Sequence, residues 1–316
     1  MEVVTMDCKK FVEEQISEIK QTVGDATAIN ALSGGVDSSL VTVLGHRALA
    51  EQLRTVFVDN ALMRQGEPQR VVKTFADMGI PVALVDARQE FLSALAGLTD
   101  PEEKRQAITD TFYAKVFSRL VRESGAKFLL HGTILTDIEE TIAGIKRQHN
   151  ILAQLGIDPE EAYGYSVLEP LKTLRKDGVR EVCEFLKLPA EISRRIPFPG
   201  PALATRIVGE VTRERLDTVR AATAIVEEEL KDSGAFQYMA VLLNDRATGI
   251  RDYKREFGQI IVVRCIESTD ARTATATELP WDKLQRICER IINEIEDVNR
   301  CLYDLTPKPP ATVEYI

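Results

Sequence analysis

Ala28-Ile-Asn-Ala-Leu-Ser-Gly-Gly-Val-Asp-Ser-Ser39 joins two kinds of local structure through one sharp break. The apolar run ending at Leu32 reads as a buried strand, and the periodic segment from Ser38 (Leu40, Val41, Val43, Leu44) reads as a helix. Between them, Gly34 and Gly35 let backbone N–H groups face outward with no Cβ in the way. The N-terminus of the helix adds unpaired donors and partial positive charge, making a phosphate-binding nest. Asp37 lies in that nest, where a second anion would be repelled, so its carboxylate implies a bound Mg²⁺ shared with phosphate. No Lys follows the glycines, so this is not a Walker loop.

Outward from this turn, strands and helices alternate through the first 190 or so residues. An amphipathic helix is expected over 8–23, a second strand over 54–59 and a third over 81–85, after a helix that stops near Gly79. A long charged helical region, 101–123, leads to a strand at 127–130 that ends in His131-Gly132-Thr133. Short, nearly continuous apolar strands between helices predict an α/β fold with a doubly wound parallel sheet. Ligands in such sheets bind beyond the strand C-termini, where Ser33–Asp37, Asp59-Asn60 and Gly132-Thr133 all fall.

Periodicity weakens over 136–166, which reads as a lid or mobile insertion containing the basic stretch Ile145-Lys146-Arg147-Gln148-His149-Asn150. Three prolines at 197, 199 and 201 fix an extended path and divide the chain into 1–198 and 199–316. The second part is a smaller α+β unit, with helices near 213–232 and 281–295 and strands near 239–243 and 260–266. It ends in Lys308-Pro309-Pro310-Ala311-Thr312-Val313-Glu314, where rigid backbone implies a docked tail and Ala311-Thr312-Val313 a short strand carrying Glu314.

The 316 residues suit two domains, and 44% hydrophobic with 28% charged residues suits a soluble globular protein. A net charge of −9 argues against nucleic acid as the main partner. No run approaches a membrane span, and nothing resembles a signal peptide. The five scattered cysteines lack metal spacing and suit reduced thiols in the cytoplasm.

Ser-Gly-Gly-x-Asp-Ser resembles the loop of the pyrophosphate-loop ATPase superfamily. Further segments extend the likeness over nearly the whole chain: Phe57-Val-Asp-Asn60, Asp100-Pro-Glu-Glu-Lys-Arg105, Gly132-Thr133, Lys176-Asp-Gly-Val-Arg180, Pro197-Phe-Pro-Gly-Pro201 and Lys308-Pro-Pro-Ala-Thr312. Together they are similar to the synthetase (ATP-pyrophosphatase) half of the GMP synthetases. That resemblance implies ATP-dependent amination of XMP to GMP through an adenylyl-XMP intermediate, with release of AMP and pyrophosphate. It also implies Mg²⁺, ammonia from a separate glutamine amidotransferase subunit, and a homodimer formed through the C-terminal domain.

By the same resemblance Ser33, Gly34, Gly35, Ser38 and Ser39 hold pyrophosphate, Val36, Gly132 and Thr133 also belong to the ATP site, and Asp37 holds the metal. Val58 contacts adenine or is simply core; Glu139 is a second metal ligand or a helix-capping carboxylate. Lys146 acts on the α-phosphate, while Arg105, Asp252, Lys308 and Glu314 face XMP. Departures from the family pattern include His131 for Gln, Arg147-Gln148 in the lid, Ala202 for Gly, a shortened hairpin before Asp252, and an end at Tyr315-Ile316. Two other classes share the loop. Sulfur insertion is disfavoured because Ala202 stands where the sulfur-donating cysteine would be, and a non-catalytic nucleotide sensor because the loop is intact.

Overall fold

Ile29, fully buried, lies on the central strand of a five-stranded sheet. The structure is a computed structural model that describes residues 6–142, 164–193, 198–269 and 271–316. In it the chain forms two units: 1–58, 68–86 and 113–195 in the first, 59–67, 87–112 and 196–316 in the second. The second unit thus takes in two early segments as well as the chain from 196 onward.

In the first unit, helix α1 (Cys8–Val23) precedes β1 (Ala28–Ala31), α2 (Val36–Leu49) and β2 (Leu53–Asp59), whose last residue begins the next unit. Next come α3 (Glu67–Asp77) and β3 (Ala83–Asp86). After two helices of the second unit, α4 (Arg88–Leu95) and α5 (Pro101–Asp110), the chain returns through a π-helical stretch, Thr111–Phe117. The first unit then continues with α6 (Ser118–Ser124), β4 (Phe128–Leu130), α7 (Leu135–Ile142), β5 (Ser166–Leu168), α8 (Lys176–Phe185) and the short α9 (Ala190–Ser193). The strand order is β3-β2-β1-β4-β5, and the β1–β2, β1–β4 and β4–β5 pairs are parallel. The chain winds outward from β1 in both directions, so the switch point lies at the C-terminal ends of β1 and β4.

A buried polar link locks this centre. Asn30 on β1 donates to Thr42 Oγ1 on α2 at 2.7 Å and accepts from Thr55 Oγ1 on β2 at 2.8 Å. The Thr42 hydroxyl in turn donates to the Ser38 carbonyl at 2.8 Å. All three side chains are buried, so each needs such partners.

The second unit contains α10 (Arg213–Leu230), β6 (Gln237–Arg251), β7 (Lys254–Glu267), β8 (Thr275–Ala276), α11 (Trp281–Glu294) and β9 (Val298–Tyr303). Strands β6 and β7 form a long antiparallel hairpin, while β9 joins β7 in parallel. β6 is far longer than the apolar 239–243 core seen in the sequence. Its outer half is mostly exposed and polar, so the pairing there leaves no apolar pattern. The hairpin turns at Asp252 and Tyr253, both at positive φ (48° and 63°), as a two-residue hairpin turn requires.

The tail corrects one expectation: 311–316 is not a strand. Lys308 makes an isolated antiparallel bridge with Ala274, and at the end of the chain the Ile316 N–H donates to the Thr205 carbonyl at 3.3 Å. Pro309 and Pro310 bring no N–H, and the nearby carbonyls are satisfied by a side chain instead. Buried Arg264 donates to the carbonyls of Thr306 (2.9 Å), Thr312 (3.0 Å) and Val313 (3.3 Å) and to the Asp304 carboxylate at 2.6 Å. The 136–166 expectation is also corrected at its ends, where α7 and β5 form. Lys146 and His149 lie outside the described residues.

Candidate active site

The turn after β1 is built from backbone and two serine hydroxyls. Gly34 adopts φ 76°, a conformation that needs glycine, and Gly35 is the extended N-cap of α2. The helix begins at Val36, two residues before the expected start, and no side chain caps it. Ser33 and Ser38 hydroxyls lie 2.9 Å apart, and Ser38 Oγ also donates to the Gly35 carbonyl at 3.1 Å. The loop is therefore held by its own polar atoms, with the first-turn N–H groups of α2 left for a ligand. Ser39 is fully buried and its hydroxyl has no hydrogen-bond partner.

Gly132, following β4, packs on this turn. A Cβ there would sit 3.2 Å from the Ser38 nitrogen and 3.3 Å from the Asp37 carbonyl carbon. Both atoms are backbone, so a side chain at 132 would require the loop to shift by a few tenths of an ångström. Thr133 donates to Glu169 Oε1 at 2.5 Å, and His131 Nδ1 lies 2.8 Å from its hydroxyl. Val58 is buried in β2. Within the first unit, the structure thus brings together the 33–39 loop, Gly132 and Thr133.

Asp37 has one committed and one uncommitted oxygen. Oδ2 accepts from Lys176 Nζ at 2.5 Å, whereas buried Oδ1 has no hydrogen-bond partner. The carboxylate of Glu139, on α7, accepts from Arg175 Nη2 at 2.5 Å. Neither Lys176 nor Arg175 stood out as a site residue in the sequence; only the charge pairing after folding reveals them. Below the loop, burial pushes the Cys183 thiol up to about 12, with Asp37 adding to the effect, so it remains a neutral thiol.

The four residues expected at XMP all lie in the second unit. Arg105 pairs with Glu102 at 2.6 Å and lines a shallow hollow with Lys104, Pro201, Thr205 and Ile316. Glu314 accepts from Gln237 Nε2 at 2.6 Å, from Arg206 Nε and Nη2 at 3.3 and 3.4 Å, and from the Thr205 hydroxyl at 3.4 Å. Lys308 donates its ammonium to the Ala271 carbonyl at 2.7 Å. Asp252 occupies the hairpin turn.

Two buried cations here were invisible in the sequence. Arg206, fully buried, lies over the Phe198 ring at 4.8 Å, and Arg64 lies over the same ring at 3.8 Å. Lys104 is 2% exposed and donates to the Ile207 and Gly209 carbonyls at 2.8 and 3.0 Å. Burial, with Arg215 nearby, lowers its pKa to about 8. In sequence each is one more charged residue, and only the fold distinguishes it from a solvated one.

Among the described residues, no cluster of three or more His, Cys, Asp or Glu is placed to hold a metal, and no helix is long and apolar enough to cross a membrane.

A parallel sheet with a Ser-Gly-Gly-x-Asp-Ser turn at its switch point defines a pyrophosphate-loop, ATP-using enzyme. Family models match at both ends: "Asparagine synthase" over 17–134 and "GMP synthase C terminal domain" over 224–315. Among curated proteins, the chain is 51% identical to a GMP synthase (glutamine-hydrolyzing) subunit of Archaeoglobus fulgidus over 310 residues, 98% of this chain and 100% of that protein. It is 49% identical to the same-named subunit of Pyrococcus abyssi over 313 residues, again 98% and 100%. A solved NH3-dependent NAD synthetase from Campylobacter jejuni aligns over 72% of this chain and 88% of its own, at 14% identity and a TM-score of 0.48. The chain belongs to the family of these GMP synthase subunits, which are ligases.

Proposed function

We propose that this chain is a synthetase subunit that aminates XMP to GMP at the expense of ATP, through an adenylyl-XMP intermediate. The observation that carries the reading is the turn at the switch point. An uncapped helix N-terminus, two serines and an unpartnered buried Asp37 oxygen converge where a triphosphate would seat. XMP is the proposed acceptor because the family name of the relatives specifies GMP as product.

The donor set fits Mg²⁺. A magnesium ion commonly takes one or two carboxylates and fills its other positions with phosphate oxygens and water, so a three-carboxylate cluster is not required. Asp37 would hold it through Oδ1, and Glu139 is the second candidate. When bound, the ion neutralises charge on the departing pyrophosphate.

The chain's own groups do the remainder. Backbone N–H groups of 35–38 and the hydroxyls of Ser33 and Ser38 would orient the β- and γ-phosphates, so that attack on the α-phosphorus is in line. Ser39 would contribute through position rather than through an exposed hydroxyl. Val58 supplies an apolar contact for adenine. Lys146, in the proposed lid, would steady charge on the α-phosphate. Arg105, Lys308 and Glu314 are proposed to bind XMP, and Asp252 as well. Adenylation makes AMP the leaving group that ammonia displaces, with the ammonia delivered by a separate amidotransferase subunit. We also propose cytoplasmic location and a homodimer formed through the C-terminal domain.

The test follows AMP formation from ATP with ammonium present. AMP appearing only with XMP, matched by GMP, supports the reading. AMP formation unaffected by XMP, or none at all, would point to another acceptor or to a nucleotide sensor.

A further inference from the structure

Lys176 and Arg175 are consecutive residues, yet each carries its charge to a different carboxylate. Lys176 Nζ lies 2.5 Å from Asp37 Oδ2, and Arg175 Nη2 lies 2.5 Å from Glu139 Oε1. These are the two carboxylates proposed above as metal ligands. Arg175 and Lys176 stand at the start of α8, so a single helix end brings both cations to one side of the first unit.

We propose that Lys176 is an internal counter-cation, which competes with the divalent metal for Asp37 in the nucleotide-free chain and moves to phosphate when nucleotide and metal arrive together. The inference rests on the reading of Asp37 as a metal ligand. Three observations carry it further. First, the Asp37 charge is already balanced, so a divalent cation approaching Oδ1 meets a neutralised carboxylate and a nearby ammonium. Second, the Lys176 side chain is 42% exposed, and a half-exposed ion pair is weak, so breaking it costs little. Third, Oδ1 is left without a partner although it is buried, so the ammonium satisfies only part of what the carboxylate can accept.

The consequence is an order of events. Without phosphates the ammonium has nowhere better to go, and the metal binds poorly. A triphosphate on the loop gives the ammonium an alternative anion within reach, which frees Asp37 for the metal. Arg175 keeps Glu139 in the same balanced state.

Binding of Mn²⁺ to the full chain without nucleotide, read from the loss of the free-ion paramagnetic resonance signal, tests this directly. Lys176→Gln should bind Mn²⁺ about fivefold more tightly than the parent. Lys176→Arg, which keeps the charge, should match the parent, and Asp37→Asn should lose the binding. Adding ATP should raise the parent's Mn²⁺ affinity by a larger factor than that of Lys176→Gln. Unchanged or weaker binding by Lys176→Gln, with Asp37→Asn defective, overturns the counter-cation and leaves the metal reading standing. An Asp37→Asn chain that binds like the parent overturns the metal reading, and the counter-cation with it. If Lys176→Arg binds as tightly as Lys176→Gln, the effect is not one of charge and the proposal fails.

Discussion

Single residues carry the sharpest tests. Asp37→Asn keeps the size and polarity of the side chain but replaces a carboxylate with a neutral amide. Pyrophosphate release should fall by about a hundredfold or more, while the thermal midpoint stays within a few degrees of the parent. Turnover within a few-fold of the parent would remove Asp37 from the metal. Arg206 offers a different test, because it grips the Glu314 carboxylate from a fully buried position. Arg206→Met leaves that carboxylate with Gln237 and Thr205 only. Its expected signature is a rise in the KM for XMP of about tenfold or more, with the KM for ATP unchanged. Equal changes in both constants would mean general unfolding. At this scale the sequence exposed the loop residues, because glycines, serines and an aspartate at a strand-to-helix break have few other uses. It concealed Lys104, Lys176 and Arg206, since a lone cation looks the same whether solvated, paired or buried. Asn30 was hidden by the apolar run around it, although its two hydrogen bonds tie β1 to α2 and β2.

Elements were most legible where burial imposes a pattern. Helix α1, strand β2 and helix α11 fall within a residue or so of where periodicity put them. Strands β5 and β9 escaped notice because they are short and only partly buried, so alternation is faint. The tail escaped because a side chain, Arg264, does the work a neighbouring strand would do. Lys308→Ala tests what that tail is for. A large rise in the XMP requirement, in a chain that melts like the parent, marks Lys308 as a ligand; normal XMP affinity and turnover leave it the role of holding the Ala271 carbonyl.

Helix α5 gives a pH-dependent prediction through Lys104. Its folded pKa of about 8 lies below the value near 10.4 of an unfolded lysine. Between those values the unfolded chain holds a proton that the folded chain has released, so stability rises with pH across that window. Below about pH 8 the cost of burying the ammonium is present in full. Urea melts from about pH 7.5 to 9.5 should therefore show the parent gaining stability relative to Lys104→Met. Parallel curves for the two proteins would mean that Lys104 does not titrate in this range.

At the scale of the whole molecule, the proposed function divides the chemistry between ammonia use by this chain and ammonia supply by a separate subunit. A glutaminase needs an activated cysteine nucleophile. Cys183, Cys265 and Cys301 all have thiols pushed upward, with burial the largest cause. The purified chain should accordingly make GMP with ammonium and not with glutamine, glutamine serving only when an amidotransferase subunit is added. Glutamine-dependent synthesis by this chain alone would refute the division. The change from a parallel sheet to a smaller, mixed unit was legible, since apolar strands alternate with helices before the prolines and two apolar strands set between two helices follow them; the full length of β6 and β7 was not, because their outer halves are polar. The exchange of segments was not, because 59–67 and 87–112 look like ordinary loops and helices of an alternating fold, and nothing local in them names their distant partners.

That exchange has a consequence during synthesis. Within the second unit, Arg64 pairs with Glu227 across 163 residues, and Arg220 donates to the carbonyls of Ala61 and Met63. A ribosome adding roughly 5–20 residues per second delivers the later partner on the order of ten seconds after the earlier one. Through that interval the nascent chain carries 59–67 and 87–112 with their destination unmade. A fragment beginning at residue 199 would lack them altogether and should remain unfolded by circular dichroism. The second unit is thus the last to close, and the place where stalled translation leaves an arginine and a buried lysine facing the cell.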